Sequence, residues 1–285
     1  MATLRQLRTR VSSIGNIQKV TNAMQLVAAA RMRQAQEDIM AARPYAEKLD
    51  SILRRLSGSV DTSQHPLLVP RDTSRVAVCV IAADRGLCGG FNSSVFRRAS
   101  TDIGELEDVD TDVITVGRKA RNYFGNRDYN VVNEHIDVFR ELEFSIASSI
   151  AQDLANRFLK GEVDQVHLVY SEFRSVAVQV PVMQQLLPIV PEAATEEDQS
   201  TEFMFEPDPD RLLATLIPKQ VNFQVWRALL ESNAGEQAAR MQAMDNATKN
   251  AGDLIEELTR EVNKVRQTAI TLELMDIIGG AEAVS

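Results

Sequence analysis

The sequence is poor in aromatic residues and cysteines and has no long uncharged apolar run. Aromatic residues make up 5% of the 285 residues, which suits extended helical pairing better than a thick core. Two cysteines, Cys79 and Cys88, are too few for a disulfide framework and indicate a reducing compartment. No stretch approaches the ~18 apolar residues of a membrane span, and no signal or transit peptide is recognisable. We therefore expect any membrane association to run through a partner.

Basic residues are in deficit, since 31 lysines and arginines face 40 aspartates and glutamates, for a formal charge of −9. This balance argues against a nucleic-acid partner, because neutralising phosphates requires a basic surface. The three histidines, His65, His135 and His167, are far apart in sequence and lack ligand-spaced neighbours. We therefore expect no metal site and no cofactor.

Residues 219–285 contain no proline, and their small or apolar residues recur at three- and four-residue steps. This period predicts one stripe of a long helix, the seam of a coiled coil. A helix over residues 219–285 would be roughly 100 Å long at ~1.5 Å per residue, and it needs a partner along its length. The predicted stripe consists of Ala234, Ala238, Met241, Met244, Ala247, Ala251, Leu254, Leu258, Val262, Val265, Ala269 and Leu272.

The first 57 residues repeat the pattern, with Thr3 as a candidate cap and Pro44 as a candidate kink. Residues 1–35 carry six basic side chains and no acidic one, whereas residues 231–285 carry ten acidic and five basic ones. Opposite charges favour pairing of the two ends as an antiparallel hairpin, whose longer C-terminal run projects roughly 15 Å. The predicted N-terminal stripe consists of Leu4, Leu7, Val11, Ile14, Ile17, Met24, Val27, Met32, Ala35, Ile39, Leu49, Ile52 and Leu56.

The middle of the chain alternates strand and helix patterns. Strands are predicted at 75–82, 112–117, 130–138, 165–170 and 176–187, with helices near 93–102, 118–126 and 143–160. The predicted class is therefore α/β: a long antiparallel coiled coil of N- and C-terminal helices plus a central Rossmann-like α/β domain. The predicted segments are a helix at 1–57, an α/β foot domain at 75–191, an acidic connector at 192–218 and a helix at 219–285.

A glycine cluster, ADRGLCGGFN at residues 83–92, follows a strand and precedes a helix. It lacks both the Gly-Lys-Ser/Thr of a P-loop and a G-x-G-x-x-G motif. Its backbone could still cradle an anion, so a nucleotide site stays open beside the favoured interpretation of a structural or partner-contacting turn. The residues singled out in this turn are Asp84, Arg85, Gly86, Gly89 and Gly90.

Polar residues also interrupt the C-terminal stripe. A pure zipper would have leucine near the positions of Arg266, Gln267, Thr271 and Glu273. Arg240 follows Glu236 by four residues, which is equally the spacing of an ordinary pair on a helix surface. After Arg266 the chain is almost entirely small or apolar. Such an end in water promotes association, and we expect it to lie inside another protein.

Three stretches resemble the gamma subunit of the bacterial F-type rotary ATP synthase, in the same order along essentially the whole chain. They are LRTRVSSIGNIQKVTNAMQLVAAARMRQAQ near the N-terminus, ADRGLCGGFN in the middle, and AARMQAMDNATKNAGDLIEEL with VRQTAITLELMDIIGGAEAV at the C-terminal end. The resemblance implies a central rotor shaft that couples proton-driven rotation of the c-ring to ATP synthesis. It implies no chemistry and no nucleotide binding by this chain.

The resemblance also implies partners and contact residues. The partners are three alpha and three beta subunits, epsilon and the c-ring, at the cytoplasmic face of the bacterial inner membrane. Arg266, Gln267, Thr271 and Glu273 match positions that bind a beta-subunit catch loop, and Glu236 and Arg240 match polar positions below them on the same helix. Met24 matches a methionine of the N-terminal helix that faces the beta lever region, and Arg31 and Arg33 match basic positions nearby. Two other hypotheses stay open, a nucleotide-dependent enzyme with its site at Gly86–Gly90 and a static coiled-coil scaffold.

Overall fold

The computed structural model describes residues 3–57, 65–106, 109–190 and 208–282. Two compact units are present, one built from residues 1–28 and 240–285 and the other from residues 29–239. The two long helices, α1 (Leu4–Ser57) and α5 (Pro209–Glu282), each contribute to both units. Most of the predicted acidic connector lies outside the described residues, and the four segment bounds inferred from sequence stay a prediction.

The unit of residues 29–239 contains a five-stranded sheet in the order β3-β2-β1-β4-β5. Four strands are parallel, namely β1 (Arg75–Ile81), β2 (Asp110–Val116), β3 (Asn130–His135) and β4 (Gln165–Phe173). The fifth, β5 (Gln179–Leu187), pairs antiparallel with β4 at one edge. An antiparallel edge strand on a parallel sheet is common among doubly wound folds, and the predicted Rossmann-like α/β class is confirmed.

Helices cover both faces of this sheet because its central strands are apolar on both sides. One face packs against α2 (Phe91–Glu105) and α3 (Arg118–Phe124), with an aromatic cluster around Phe124. The other face packs against α4 (Phe144–Leu159) and against α1 and α5 side chains such as Leu56 and Leu229. The C-terminal part of α1 and the N-terminal part of α5 are therefore part of the core of this unit.

Local capping explains where the two long helices begin. Thr3 and Gln6 form a capping box, since the Gln6 N–H donates to Thr3 Oγ1 (3.3 Å) and the Thr3 N–H to Gln6 Oε1 (2.9 Å). The predicted cap at Thr3 is confirmed. Helix α5 begins at Pro209, ahead of the expected start at residue 219, because Asp208 accepts the Arg211 N–H (2.9 Å). Proline is favourable at a first helical position, whereas the sequence interpretation took it as a connector residue.

Pro44 does not end α1, which the structure describes as one helix from Leu4 to Ser57. Proline removes one backbone donor and crowds the preceding turn, which led us to expect a kink or a restart. Packing of the residues just after Pro44 stabilises the helix instead. Tyr45 lies with its ring 5.2 Å from that of Phe223 on α5, and Leu49 is 3% exposed.

In the unit of residues 1–28 and 240–285, α1 and α5 pair antiparallel. Thr248 Oγ1 lies 2.8 Å from Thr21 Oγ1, and Gln25 Nε2 lies 3.0 Å from Asp245 Oδ1, so positions rise on one helix as they fall on the other. The buried and half-buried positions repeat in alternating steps of three and four, as in a coiled coil. This seam consists of Leu4, Leu7, Val11, Ile14, Gln18, Thr21, Gln25 and Ala28 on α1, and Met241, Met244, Thr248, Ala251, Ile255, Leu258, Val262 and Val265 on α5.

Seven residues assigned to the stripes from sequence belong to this unit but lie outside its seam, namely Ile17, Met24, Val27, Ala247, Leu254, Ala269 and Leu272. Ile17 and Val27 are 55% and 54% exposed, and Leu254 is 36% exposed. The seam instead continues through Gln18 and Ile255. The heptad phase, rather than the hydrophobicity of a single side chain, decides which neighbour faces the partner helix.

The described part of α5 continues well past its pairing with α1. Counting by heptads from the Thr21–Thr248 contact places Leu4, at the start of α1, opposite Val265. Residues 266–282 then extend for about 25 Å at ~1.5 Å per residue, more than the ~15 Å expected from sequence. Within the described residues, no helix is both long and apolar enough to cross a membrane.

We predict that Gly117→Ala strongly destabilises the chain. Gly117 has φ +93°, and an added Cβ would lie 1.9 Å from the Ala82 carbonyl oxygen. Strain and clash together should lower the free energy of unfolding by about 3 kcal/mol or more, measured by urea denaturation. Gly161→Ala is the matched control, because its φ of +73° is similar but no atom lies within 4 Å of the added Cβ. It should cost about 1 kcal/mol, and equal losses would contradict the prediction.

Candidate functional site

The C-terminal part of α5 presents six exposed large apolar side chains. Every described side chain after Val265 is exposed. Its large apolar members are between 49% and 67% exposed, far above the few percent typical of core residues. They are Ile270, Leu272, Leu274, Met275, Ile277 and Ile278. At about 100° per residue they span roughly 220° of the helix circumference, which is more than one flat partner surface can cover.

The four polar residues singled out near this end all lie within the exposed stretch. At about 100° per residue, Arg266 and Glu273 are roughly 20° apart around the helix, and Gln267 and Thr271 share a neighbouring face. Thr271 Oγ1 donates to the Gln267 carbonyl oxygen (2.9 Å), which is a bond internal to the helix. The side chains of Arg266, Gln267 and Glu273 point to solvent and are available to a partner.

Glu236 and Arg240 differ from these four residues. Glu236 is 4% exposed and belongs to the unit of residues 29–239, whereas Arg240 is half-buried in the other unit. Each has an interaction partner within the chain. Their assignment as subunit contacts stays a prediction, and for Glu236 the burial means that its carboxylate is enclosed by its own chain.

On α1, Met24 is half-buried, while Arg31 and Arg33 are exposed. Sequence reasoning missed the exposed apolar stripe of α1 beside Met24. Ile17, Val20 and Val27 are 54% to 58% exposed, and their spacing places them with Met24 on one face of the helix. Following the heptad phase through Gln18 would have found this stripe, because it assigns Ile17 and Val27 to the outer surface.

Asp84, in the glycine turn, fixes three loops of the sheet unit. Its Oδ1 accepts the N–H groups of Arg118 (3.0 Å) and Asp137 (2.9 Å), and its Oδ2 accepts that of Phe139 (3.3 Å). The Arg118 guanidinium in turn donates to both carboxylate oxygens of Asp137 at 2.7 Å. The carboxylate thus satisfies backbone donors at the start of α3 and in the loop after β3.

The rest of the turn is held by its own hydrogen bonds. Leu87 and Gly89 both have positive φ, 63° and 56°, and this tight path brings Cys88 against Asn92. Asn92 Oδ1 accepts the Ala83 N–H (3.0 Å), and its Nδ2 lies 3.2 Å from Cys88 Sγ. Arg85 and Gly90 are exposed, and Gly86 lies near the Lys119 side chain.

Helix α5 packs directly on this turn. Ala83, Cys88 and Phe91 form a buried cluster with Ala239 of α5. Gly235 permits the close approach, since a Cβ there would lie 3.2 Å from the Phe91 ring and 3.5 Å from Ser171 Oγ. The turn therefore attaches the sheet to the long helix within the unit of residues 29–239.

Cys79 lies in the core of the sheet. Burial raises the pKa of the Cys79 thiol to about 12, which keeps it protonated and unreactive. No group of three or more histidines, cysteines or carboxylates in the described ranges is arranged to hold a metal ion.

Comparison with known proteins agrees with this architecture. A family model described as ATP synthase matches residues 3–284. The ATP synthase gamma chain of Pelotomaculum thermopropionicum is 45% identical over 284 residues, covering 100% of both chains. That of Chlorobaculum parvum is 47% identical over 290 residues, covering 100% of this chain and 99% of its own.

Solved structures show the same arrangement. A chain of the Tetrahymena thermophila mitochondrial ATP synthase, from a structure of its central stalk and c-ring, matches with a TM-score of 0.62 and 25% identity. The match covers 80% of this chain and 99% of that one. A chain of the Euglena gracilis mitochondrial ATP synthase matches with a TM-score of 0.68 over 99% of this chain and 94% of that one; at 19% identity this shows the fold alone.

Two long helices that pair with each other in one unit and pack on a five-stranded sheet in the other define the fold class. The full-length matches give the particular family. This chain belongs to the gamma chains of the ATP synthases.

We predict that Asp84→Ala destabilises the sheet unit, because it leaves three backbone N–H groups without their acceptor. The free energy of unfolding should fall by about 2 kcal/mol, with a smaller loss for Asp84→Asn, which keeps one acceptor oxygen. The exposed Asp72 provides the control, and Asp72→Ala should stay within about 0.5 kcal/mol of the parent chain. Equal stability of the two alanine variants in urea titrations would rule out this role for Asp84.

Proposed function

We propose that this chain is the central shaft of a rotary ATP synthase. It transmits rotation of a proton-driven c-ring to the beta subunits, where ATP is made. The exposed apolar stretch of α5 from Arg266 to Ile278 carries the proposal, because every described side chain in it is exposed. Enclosure by a ring of alpha and beta subunits covers every side of such a helix at once, which contact with a flat surface cannot do.

Coupling requires that different faces of the shaft make different contacts with chemically identical partners. The described surface supports this requirement. The apolar stripe of Ile17, Val20 and Val27 on α1 differs from the polar pairs Arg266–Glu273 and Gln267–Thr271 on α5. The α1 stripe and the α5 polar residues lie at different levels of the shaft, and at each level rotation changes which face a beta subunit contacts. These differential contacts select its conformational state.

The chain itself performs no chemistry in this proposal. Its partners are three alpha and three beta subunits around the shaft, with epsilon and the c-ring at the α/β unit. It associates peripherally with the membrane through these partners, at the cytoplasmic face of the bacterial inner membrane. The family assignment and the structural likeness to a central stalk support this placement.

We predict that Arg266→Ala and Gln267→Leu each lower ATP synthesis and hydrolysis by about tenfold while the complex still assembles. Both side chains are exposed, so the stability of the chain should change by less than about 0.5 kcal/mol. The lost contacts to beta reduce the energy that favours one beta state over another. Turnover of the purified complex measures the effect.

Thr268→Ala is the matched control, because Thr268 is exposed on the same turn and its hydroxyl bonds only to the Lys264 carbonyl oxygen (3.0 Å). It should keep turnover within about twofold of the parent. Full turnover in both the Arg266 and Gln267 variants would refute the assignment of these residues.

The purified chain should not bind Mg-ATP at micromolar affinity in calorimetry. The Asp84 carboxylate is bonded to backbone N–H groups of neighbouring segments, and Ala83, Cys88 and Phe91 pack on α5. Micromolar binding that Gly86→Asp abolishes would instead support a nucleotide-dependent enzyme.

The copy number in the purified complex distinguishes the shaft from a static scaffold. A shaft co-purifies as one copy per three alpha–beta pairs, whereas a scaffold co-purifies as a homo-oligomer.

A further inference from the structure

A polar layer interrupts the seam between α1 and α5 in the unit of residues 1–28 and 240–285. From Leu4 to Ile14 on α1, and from Ala251 to Val265 on α5, the seam is apolar. Next to this apolar part, both helices place polar residues towards each other. This polar layer consists of Gln18, Thr21 and Gln25 on α1 with Asp245 and Thr248 on α5.

The contacts across the polar layer are specific. Thr248 Oγ1 lies 2.8 Å from Thr21 Oγ1, and each hydroxyl also reaches a carbonyl oxygen of its own helix. Gln25 Nε2 donates to Asp245 Oδ1 (3.0 Å), while Asp245 Oδ2 accepts from Lys249 Nζ (2.6 Å). Every member of the layer therefore has a partner in this alignment of the two helices.

Gly252 provides the space that Gln18 needs. A Cβ at Gly252 would lie 3.1 Å from Gln18 Nε2, a distance at which one of the two must shift. Gln18 Nε2 in turn reaches the Thr248 carbonyl oxygen at 3.4 Å. The small residue on α5 and the long amide on α1 are thus matched at this level of the seam.

Apolar layers alone discriminate poorly between alignments. Leucine, isoleucine and valine pack acceptably against one another, so sliding by one layer would exchange similar contacts. A shift of α1 along α5 moves Asp245 away from its donor, Gln25. It also moves Gln18 away from Gly252. Loss of one net hydrogen bond alone disfavours the shifted alignment by roughly five- to tenfold. In coiled coils, a polar seam residue fixes register at a cost in stability.

We propose that the polar layer fixes the register of α1 against α5 and resists sliding between them when the shaft carries load. Gln25 and Asp245 are positioning residues in this role, and they act through the alignment of the helices rather than through contact with another subunit. The layer thereby fixes the position of the exposed α1 stripe along the helix axis relative to the exposed polar residues of α5, such as Arg266 and Gln267, in the same unit.

Disulfide trapping in the assembled complex tests the proposal. Heptad counting from the Thr21–Thr248 contact places Ile14 opposite Ile255 and one layer away from Leu258. One chain carries Ile14→Cys with Ile255→Cys as the aligned pair, and another carries Ile14→Cys with Leu258→Cys as the displaced pair. The initial rate of oxidation during ATP hydrolysis is compared between them, and the aligned pair should react about tenfold faster.

The apolar-layer variant combines Thr21→Val, Gln25→Met, Asp245→Leu and Thr248→Val. It should reduce the ratio of aligned to displaced rates to about threefold or less, with thermal stability equal to or above that of the parent. Thr259→Val is the matched control, because Thr259 is exposed and its hydroxyl bonds only to the Ile255 carbonyl oxygen (2.7 Å). This control should keep the tenfold ratio. An unchanged ratio in the apolar-layer variant would overturn the proposal.

A charge variant gives an independent result if the apolar-layer chain does not assemble. Gln25→Glu sets a carboxylate against Asp245 and should lower the ratio at least threefold, whereas adding Asp245→Asn should restore it to within about twofold of the parent. Failure of either step refutes the proposal. The ratio is independent of the contacts to beta, so Arg266→Ala should leave it unchanged even where turnover falls.

Discussion

Each of the two long helices must cover one apolar stripe along its length, and the molecule meets this constraint with two different partners. Between residues 29 and 239, the stripes of α1 and α5 pack into the core on one face of the sheet, through residues such as Leu56 and Leu229. In the other unit the two stripes cover each other in an antiparallel seam. The antiparallel seam ends where α1 begins. After Val265, α5 continues and all of its described side chains are exposed.

The glycine turn of the sheet unit packs against α5. In many α/β folds, the crevice at the carboxyl ends of parallel strands receives a ligand. Here Asp84, which follows β1 at that edge, is engaged by three backbone N–H groups of neighbouring loops. The turn residues behind it pack on α5 at Gly235 and Ala239. The position that elsewhere recognises a ligand serves as the attachment point of a helix.

The sequence was sufficient for the class of fold because its periodicities are long. Five strands and two extended helices were predicted from patterns that repeat over many residues, and the structure confirms them. The boundaries of the helices and the heptad phase of the seam were harder to predict. Helix α5 begins at Pro209 because Asp208 caps it, a local hydrogen bond that the acidic composition of the region obscured. Ile17 and Val27 were placed in the seam because they are apolar, although the heptad phase assigns their places to polar residues such as Gln18.

The candidate site was less predictable than the fold. Exposure of Arg266, Gln267 and Glu273 follows from the register of the two helices, which pairwise contacts such as Thr21–Thr248 determine and composition does not. Burial of Glu236 depends on packing of α5 against the sheet, and no local pattern encodes that contact. The exposed α1 stripe at Ile17 and Val20 became visible only once the seam had a definite phase.

The uncovered end of α5 also has an electrostatic consequence. An α-helix carries partial negative charge at its C-terminal carbonyl groups, and nearby basic side chains ordinarily offset it. The last turn of α5 has no such residue, and the sequence has no lysine or arginine after Arg266. The last turn of α5 therefore has no basic side chain of its own to offset this charge. A basic group on an enclosing surface would be favoured there by roughly 0.3–1 kcal/mol, in addition to apolar contact.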